Sequence, residues 1–205
     1  MKVLMINGSP HKEGTTYTAL REMEKIFTEL GIETEIADVG SQNIRGCTAC
    51  GSCYRTGKCA INDAVNDIAD KFRDADGLVI GSPVYYASAN GTLISALDRL
   101  FYSTHFSKTM KVGAAVCCAR RGGITATFDE LNKYFTISGM PVASGQYWNG
   151  LHGGPADKIR DDREGLQQMR TLARNMAFLM KSIELGKEKF GLPEREPSEY
   201  TNFIR

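Results

Sequence analysis

Apolar positions along the chain follow two patterns: short continuous runs, and longer stretches in which an apolar residue recurs every three or four positions. Short runs are typical of strands buried on both faces, and the longer pattern is typical of amphipathic helices. The runs predict strands at Val3–Ile6, Leu78–Ile80, Lys111–Cys118 and Pro141–Ser144, and alternating polar and apolar residues predict a half-exposed edge strand at Thr34–Val39. The periodic stretches predict helices at about 15–30, 63–75, 93–101, 125–138 and 162–185.

This strand–helix alternation, repeated five times, predicts an α/β fold with a parallel sheet and helices on both of its faces. A chain of 205 residues is long enough for one large core. We therefore expect a single domain over residues 1–185. Residues 186–205 have weak periodicity and are expected to form a tail, which packs as an arm on this domain or on a neighbouring subunit, or frays.

The charge balance narrows the classes of partner. There are 25 basic and 24 acidic residues, a net charge of +1, which argues against a nucleic-acid or membrane-surface partner. The chain enters a strand almost at once, which leaves no room for a signal peptide, and its longest apolar stretch, Val112–Ala119, is too short to span a bilayer. A cytoplasmic protein is expected, and its six cysteines are then metal ligands, redox groups or core residues rather than disulfides.

The first predicted strand ends in a hydroxyl-rich loop that leads directly into a helix. Free N–H groups at the helix N-terminus, together with the hydroxyls of Ser9, Thr15 and Thr16, make a candidate phosphate site. The alternative is a capped strand–helix turn that binds nothing. The loop contains neither G-x-G-x-x-G nor G-K-[ST], which excludes a dinucleotide fingerprint and a P-loop.

Two further loops are expected at the same place. Ligands of parallel sheets bind beyond the carboxyl ends of the strands, so loops 7–16, 82–90 and 118–124 should meet at one edge. The second loop is expected to be an irregular connection in which Ser82-Pro83 breaks the strand. Val84 and Tyr85 then offer flat apolar surface to a planar ring, although a hydrophobic turn without a ligand is the alternative.

The third loop, Ala119–Gly123, combines two arginines with two glycines. Gly122 and Gly123 would let the backbone approach a ligand closely. Arg120 or Arg121 would stabilise negative charge on a reduced ring, or else both are ordinary surface cations. Trp148, in the Gly-rich stretch 146–155, is a candidate to stack on the same ring, with a core or interface role as the alternative.

Four of the cysteines lie within thirteen residues at the spacing C-x2-C-x2-C-x5-C: Cys47, Cys50, Cys53 and Cys59. Thiolates in this number select zinc or an iron–sulfur cluster, and nearby glycines at 46, 51 and 57 let the chain turn tightly. Zinc ribbons separate two C-x2-C pairs by a longer stretch, so three cysteines in a row favour a cubane cluster held by all four. Zinc, a thiol switch and no metal remain as alternatives, and Cys117 and Cys118 are expected to be core residues.

Two motifs carry a resemblance to a known family. The stretch Gly8–Thr16, GSPHKEGTT, resembles the phosphate loop GSPRKxGNT of the flavodoxin-like NADPH-dependent FMN reductases. Gly81–Tyr86, followed by Asp98-Arg99, resembles the family's second signature, sPvYf and a DR pair. The resemblance runs from Lys2 to about Gly154. It implies a flavodoxin-like three-layer αβα sandwich with a five-stranded parallel sheet in the order 2-1-3-4-5.

The resemblance also implies a cofactor, FMN, and the residues that hold it. Ser9, Thr15 and Thr16 would lie at the phosphate, and Pro83 to Tyr86 would lie against the isoalloxazine. His11 and Thr15 replace the family's usual Arg and Asn, and His11 donates with a charge only when it is protonated. The residues predicted to bind the cofactor are Ser9, His11, Gly14, Thr15, Thr16, Pro83, Val84, Tyr85, Tyr86, Ala119, Arg120, Gly122 and Gly123.

The cysteine motif and its position resemble the iron–sulfur flavoproteins, a branch of the same family, which implies a [4Fe–4S] cluster on residues 46–60. The first hypothesis is an FMN protein that exchanges electrons between a one-electron donor such as ferredoxin and a two-electron acceptor, with no acid or base side chain. The alternatives are an NAD(P)H-dependent FMN or quinone reductase without a cluster, and a non-catalytic flavin- or zinc-dependent redox sensor. Relatives imply a homodimer or homotetramer.

Overall fold

The computed structural model describes residues 1–154, 156–199 and 201. The strands are β1 (Lys2–Asn7), β2 (Glu33–Asp38), β3 (Gly77–Tyr85), β4 (Ser88–Ala89), β5 (Val112–Ala119) and β6 (Gly150–His152). The helices are α1 (Thr15–Glu29), α2 (Cys53–Thr56), α3 (Ala64–Asp74), α4 (Gly91–Ser103), α5 (Ile124–Ile137) and α6 (Arg163–Phe190), with a 3-10 helix at Ala156–Asp161.

The sheet has the order β2-β1-β3-β5-β6, and each neighbouring pair in this series is parallel. Counted along these five strands, the order is the predicted 2-1-3-4-5. The short strand β4 adds a sixth, antiparallel to the end of β3. The α/β class, the parallel sheet and the strand order are therefore confirmed.

Alternate residues of the central strands feed two cores, one on each face of the sheet. Val3 and Met5 of β1 pack with α1 and α6, whereas Leu4 and Ile6 pack with α3, α4 and α5. Because both faces are covered, the central strands have apolar residues at successive positions rather than at every second one. This is the three-layer arrangement that the sequence predicted.

The strand β3 continues through Pro83, so the prediction that Ser82-Pro83 breaks it is wrong. The Gly81 carbonyl accepts a hydrogen bond from the Gly8 amide, on the β1 side of the strand, at 2.8 Å. Pro83 is two residues further along, so its main-chain nitrogen is directed to that same side. Since β1 has ended by that point, no ladder partner requires the N–H that proline lacks.

The second loop is a β-hairpin rather than the irregular connection that was expected. β3 and β4 pair across a two-residue turn, in which Tyr86 has φ 51° and Ala87 has φ 59°. Positive φ at both central positions matches the twist of antiparallel strands, which is why such turns close hairpins. The turn projects beyond the carboxyl edge of the sheet.

The fifth parallel strand lies at β6, not at the predicted Pro141–Ser144. In that segment only Val142 forms a bridge, to Gly113 of β5, and the ladder resumes at Gly150 after the chain has looped out. The last helix runs to Phe190, five residues beyond the predicted end at Leu185. Residues 191–199 of the predicted tail are exposed and form no helix or strand, while Tyr200 and 202–205 lie outside the described residues.

Helix α6, at 28 residues, is the longest of the described helices. Its charged residues keep it well below the apolarity of a bilayer span, and none of the other described helices meets that requirement either.

Candidate functional site

Four loops meet at the carboxyl edge of the sheet: loop 1 (8–14), loop 2 (82–90), loop 3 (119–123) and loop 4 (144–154). Loops 1 and 2 are joined by the Asn90 side chain, whose Nδ2 donates to the Gly8 carbonyl at 2.6 Å.

Loops 2 and 3 touch at Gly123, where an added Cβ would lie 2.9 Å from Val84 Cγ1. The Gly153 amide of loop 4 donates to the Ala119 carbonyl of loop 3 at 3.1 Å. Thr15 Oγ1, at the end of loop 1, donates back to the Gly154 carbonyl at 3.3 Å. The expected meeting of three loops is confirmed, and loop 4 closes them into a ring.

Loop 1 borders an open groove beside the first turn of α1. Gly14 is the N-cap residue and has no side chain that could occupy the free amides of that turn. His11 is exposed, and Gly14 and Thr15 are half-buried. Lys12 and Glu13 also line the groove, which therefore presents amides, a hydroxyl, an imidazole and one cation to an anion, beside one carboxylate.

The two buried hydroxyls predicted for the phosphate differ in what they face. Ser9 Oγ accepts from the His11 amide at 3.2 Å, which leaves the hydroxyl proton available to donate. The Thr16 side chain lies beneath the loop, next to the Cys118 thiol, whose pKa its hydroxyl lowers against the larger effect of burial.

Loop 2 is held in place by a carboxylate from α5. Glu130 accepts from the Ser88 hydroxyl at 2.9 and 3.0 Å and from the Ala89 amide at 2.8 Å. The hairpin consequently presents Tyr85, which is 45% exposed, and the fully exposed Tyr86 at the rim of the ring. Pro83 and Val84, which were predicted to contact the ring of the cofactor, are half-buried behind the two tyrosines.

Asn90 is a site residue that sequence reasoning missed. Besides the side-chain bond to loop 1, the main-chain N–H of Asn90 donates to Ser82 Oγ at 3.1 Å. Its side-chain oxygen caps α4 by accepting from the main-chain N–H of Thr92. An Asn just before a helix was the available signal, because that residue type is favoured at the N-cap. Its reach to Gly8, however, depends on the tertiary fold.

Loop 3 places Arg120, Arg121 and Gly122 on the surface, with Ala119 buried and Gly123 half-buried. The two arginines lie at the carboxyl edge of the sheet, where their charges would flank the ring of a bound cofactor. Gly123 has φ 99°, a left-handed conformation that glycine adopts without strain.

We expect Gly123→Ala to destabilise the flavin-free protein by about 1–3 kcal/mol, because alanine is strained at positive φ and its Cβ meets loop 2. Gly122→Ala is the matched control, since its Cβ meets no atom of the described residues within 4 Å and should change stability by less than about 0.5 kcal/mol. Urea unfolding of both variants tests this. Equal stability of the two would contradict the close contact between loops 2 and 3.

Loop 4 carries the exposed aromatic pair Tyr147 and Trp148, whose ring centroids are 4.8 Å apart. The buried side chain of Gln168 fixes this loop, because its Oε1 accepts from the amides of Gln146 and Tyr147 at 3.0 and 3.1 Å. A cleft of about 350 Å³ separates the pair from Arg121 of loop 3. Stacking of Trp148 on a cofactor stays a prediction.

The cysteine loop (46–60) follows β2 and winds tightly through left-handed residues. Gly51 and Gly57 have φ 70° and 66°, as their predicted role requires, whereas at the first turn the positive φ belongs to Ala49, at 52°, and not to Gly46. A non-glycine residue held in this conformation is a source of local strain. The strain lies between the first two cysteines of the motif.

All four loop cysteines line one small cavity, of about 20 Å³, against α4. Cys53 is 7% exposed and Cys59 is half-buried, whereas Cys47 and Cys50 are exposed. Ser103 of α4 lines the same cavity, and its hydroxyl is buried without a hydrogen-bond partner among the described residues.

The donor set of this cavity fits a thiophilic metal group, since its protein ligands would all be sulfur. Within the part of the chain that the structure describes, however, no three His, Cys, Asp or Glu side chains lie close enough to hold a metal ion. The pKa of Cys50 is lowered, chiefly because the Ser52 amide hydrogen-bonds to the sulfur, which favours the thiolate that metals require. The thiols share a cavity without converging on one point.

A buried ion pair anchors the base of the cysteine loop. Arg99 of α4, whose side chain is 0% exposed, makes a bidentate contact with Asp63 at 2.7 and 2.8 Å. Asp63 also caps α3 by accepting from the Val65 amide. Sequence reasoning found Asp98-Arg99 only as a family signature, and the structure gives Arg99 its physical role.

The other two cysteines behave as the sequence predicted. Cys117 and Cys118 are buried at the end of β5. Burial raises the pKa of the Cys117 thiol and raises that of Cys118 to about 12. Both therefore remain protonated core groups.

Comparison with known proteins gives matches over most of the chain. The family model described as NADPH-dependent FMN reductase matches residues 1–153. An iron-sulfur flavoprotein of Methanocaldococcus jannaschii is 35% identical over 193 residues, which cover 90% of this chain and 100% of that protein. An iron-sulfur flavoprotein of Methanosarcina thermophila is 28% identical over 194 residues, covering 92% and 100%.

Among solved structures, RosB with a bound 8-demethyl-8-formylriboflavin-5'-phosphate superposes with a TM-score of 0.70 at 16% identity. The match covers 100% of this chain and 92% of that one. At this level of identity, the similarity establishes the fold.

Proposed function

The chain belongs to the NADPH-dependent FMN reductase family, and from that premise we propose that it is an iron–sulfur flavoprotein that exchanges electrons between a one-electron donor and a two-electron acceptor. Membership makes it a flavin-dependent oxidoreductase. The observation that carries the finer proposal is the lining of a single cavity by all four cysteines of the motif. Relatives of matching length are named iron-sulfur flavoproteins.

The ring of loops fits FMN. Loop 1 binds the phosphate through the first-turn amides of α1, the free proton of Ser9, the His11 ring and the cation Lys12. Gly14 keeps that approach open, because it has no side chain in the groove. Loops 2 and 3 orient the ring and exclude water from one side of it, with Val84 as the apolar surface.

In the cysteine loop, Cys47, Cys50, Cys53 and Cys59 would hold a [4Fe–4S] cluster. When bound, the two groups supply the exchange between single electrons and electron pairs. The chain's own contribution is to hold four thiolates and to keep Cys53 and Cys59 away from solvent. Cys53 and Cys59 would hold the cluster from the buried side of the cavity, and Cys47 and Cys50 would hold it from the exposed side.

The surface around the cysteine loop suits an acidic one-electron partner such as ferredoxin. Between Val39 and Asn62 the chain carries Arg45, Arg55 and Lys58 and no acidic residue. All three cations are exposed. Complementary charge speeds the encounter of two proteins and orients them, with an effect that falls as salt is added.

A second candidate is an NAD(P)H-dependent FMN or quinone reductase without a cluster. It is favoured by the absence of three converging metal-ligand side chains within the described residues. In that case Arg120 or Arg121 would bind the phosphate of the nicotinamide cofactor.

One experiment separates the two: anaerobic purification of the full chain, followed by an absorption spectrum and by analysis of FMN, iron and sulfide. We expect flavin bands, a broad shoulder near roughly 400 nm, and about four iron and four sulfide ions per chain. Flavin without iron, reduced rapidly by NADPH, would establish the second candidate and contradict the proposal. Absence of flavin turnover with bound zinc would point to a redox sensor instead.

A further inference from the structure

Arg99 is the largest side chain that is fully buried in the described structure. It lies on the inner side of α4 and lines the cavity of the cysteine loop. Burial of a guanidinium is costly unless its charge is paired and its donors are used. A stable fold therefore requires an acceptor for each N–H group of Arg99.

Each of its five N–H groups has an acceptor. Two donate to the carboxylate of Asp63, which balances the charge. One donates to the Arg45 carbonyl at 3.2 Å and another to the Ile61 carbonyl at 3.1 Å, so that Arg99 holds the chain on both sides of the cysteine loop. The fifth, on Nε, donates to the sulfur of Cys59 at 3.2 Å.

The contact with Cys59 stands apart from the other four, because a clasp that only joined the two ends of the loop would not need it. The sulfur lies in the motif, and its donor belongs to a cation whose orientation is locked by Asp63. A hydrogen bond to a ligand sulfur withdraws electron density from the metal group, which stabilises the reduced form and raises the reduction potential.

We propose that Arg99 is a positioning residue that fixes Cys59 for metal ligation and raises the reduction potential of the group bound by the cysteine loop. This inference rests on the proposed function, in which that loop carries an iron–sulfur cluster. Asp63 neutralises the guanidinium, so the effect on the potential comes chiefly from the directed N–H···S bond rather than from net charge.

The test is a potentiometric titration of the anaerobically purified full chain, followed by electron paramagnetic resonance. Arg99→Lys keeps a cation for Asp63 but lacks the forked donors that reach Cys59 at the same time. We expect its cluster potential to become more negative by about 59 mV, which is a tenfold change in a one-electron equilibrium. Arg174→Lys, at an exposed cation of α6 outside the proposed sites, should leave the potential unchanged.

A second variant allows the inference to be tested if Arg99→Lys does not fold. The double substitution Arg99→Met with Asp63→Leu replaces the ion pair by apolar side chains, an exchange that proteins often tolerate. It also lacks the N–H···S bond and should give the same negative shift. An unchanged or more positive potential in either variant, at full iron content, overturns the inference.

Failure of the proposed function would be seen separately, as wild-type protein without iron and sulfide. The positioning of the loop is then decided by tryptic cleavage after Arg55 and Lys58, which are exposed. Loss of the clasp in Arg99→Lys should accelerate this cleavage at least tenfold relative to wild type. An unchanged cleavage rate would overturn the positioning role.

Discussion

Asp63→Ala is expected to lower the free energy of unfolding by about 3–5 kcal/mol, because it leaves the buried guanidinium of Arg99 without a counter-charge. The side chain of Arg99 is 0% exposed, so the guanidinium itself has no contact with solvent in the folded protein. The substitution also removes the cap of α3, where Asp63 accepts from the Val65 amide. Urea unfolding followed by circular dichroism measures the loss.

Asp70→Ala is the matched control. Asp70 also pairs with an arginine, Arg73, at 2.5 Å, but both side chains are about half exposed. Surface pairs of this kind contribute about 0–1 kcal/mol. Equal losses for the two variants would contradict the view that burial makes the Arg99–Asp63 pair essential.

The Asp63 effect should depend on pH. Burial alone would raise the pKa of Asp63, but hydrogen bonds from Arg99 and the Val65 amide, with the Arg99 charge, bring it below its ordinary value. The ionised carboxylate therefore stabilises the fold above the unfolded pKa of about 4, and this contribution is lost as the pH falls through the folded pKa. The difference between wild type and Asp63→Ala should narrow over that acidic range.

The second large effect is expected from Cys53→Ser, which should abolish iron binding. Cys53 is the most buried of the four loop cysteines, and serine offers an alcohol in place of a soft thiolate ligand. Iron should fall from about four per chain to less than about one, and the shoulder near roughly 400 nm should disappear. FMN should stay bound, because the ring of loops lies elsewhere on the chain.

Cys117→Ala is the control for loss of a cysteine as such. Its sulfur is buried at the end of β5 and lines no part of the cysteine-loop cavity. Iron and FMN contents should both match wild type. Retention of the shoulder in Cys53→Ser, measured with iron and sulfide in the same sample, would refute ligation by four cysteines.

The alternation of apolar runs and periodic stretches predicted the parallel sheet and the helices on its two faces, whereas the strand order was available only through the family resemblance. The strand proposed at Pro141–Ser144 was misplaced because only Val142 bridges to β5 there. The chain then loops out, held by Gln168 from a helix about twenty residues later, before it rejoins the sheet. Local sequence carries no sign of that tertiary contact.

Two features of the site were hidden for a similar reason. The turn Tyr86-Ala87 has none of the Gly or Asn residues that usually mark a hairpin. The hairpin is instead stabilised by Glu130 of α5, which accepts from the Ala89 amide of the adjoining strand. Arg99 falls on the buried face of a helix, where a cation would not be expected. By contrast, the cysteine motif and the hydroxyl-rich loop could be identified from the sequence, because each is formed by residues close together along the chain.

The clasp at Arg99 also orders events during synthesis of the chain. Its acceptors precede it by 36 to 54 residues, at Asp63 and Arg45 respectively. The cysteines therefore leave the ribosome well before the helix that secures them, and contacts of such separation form only after the intervening chain has closed. The loop therefore acquires its final shape only after α4 has folded, and a chain truncated before that helix carries the motif without the means to fix it.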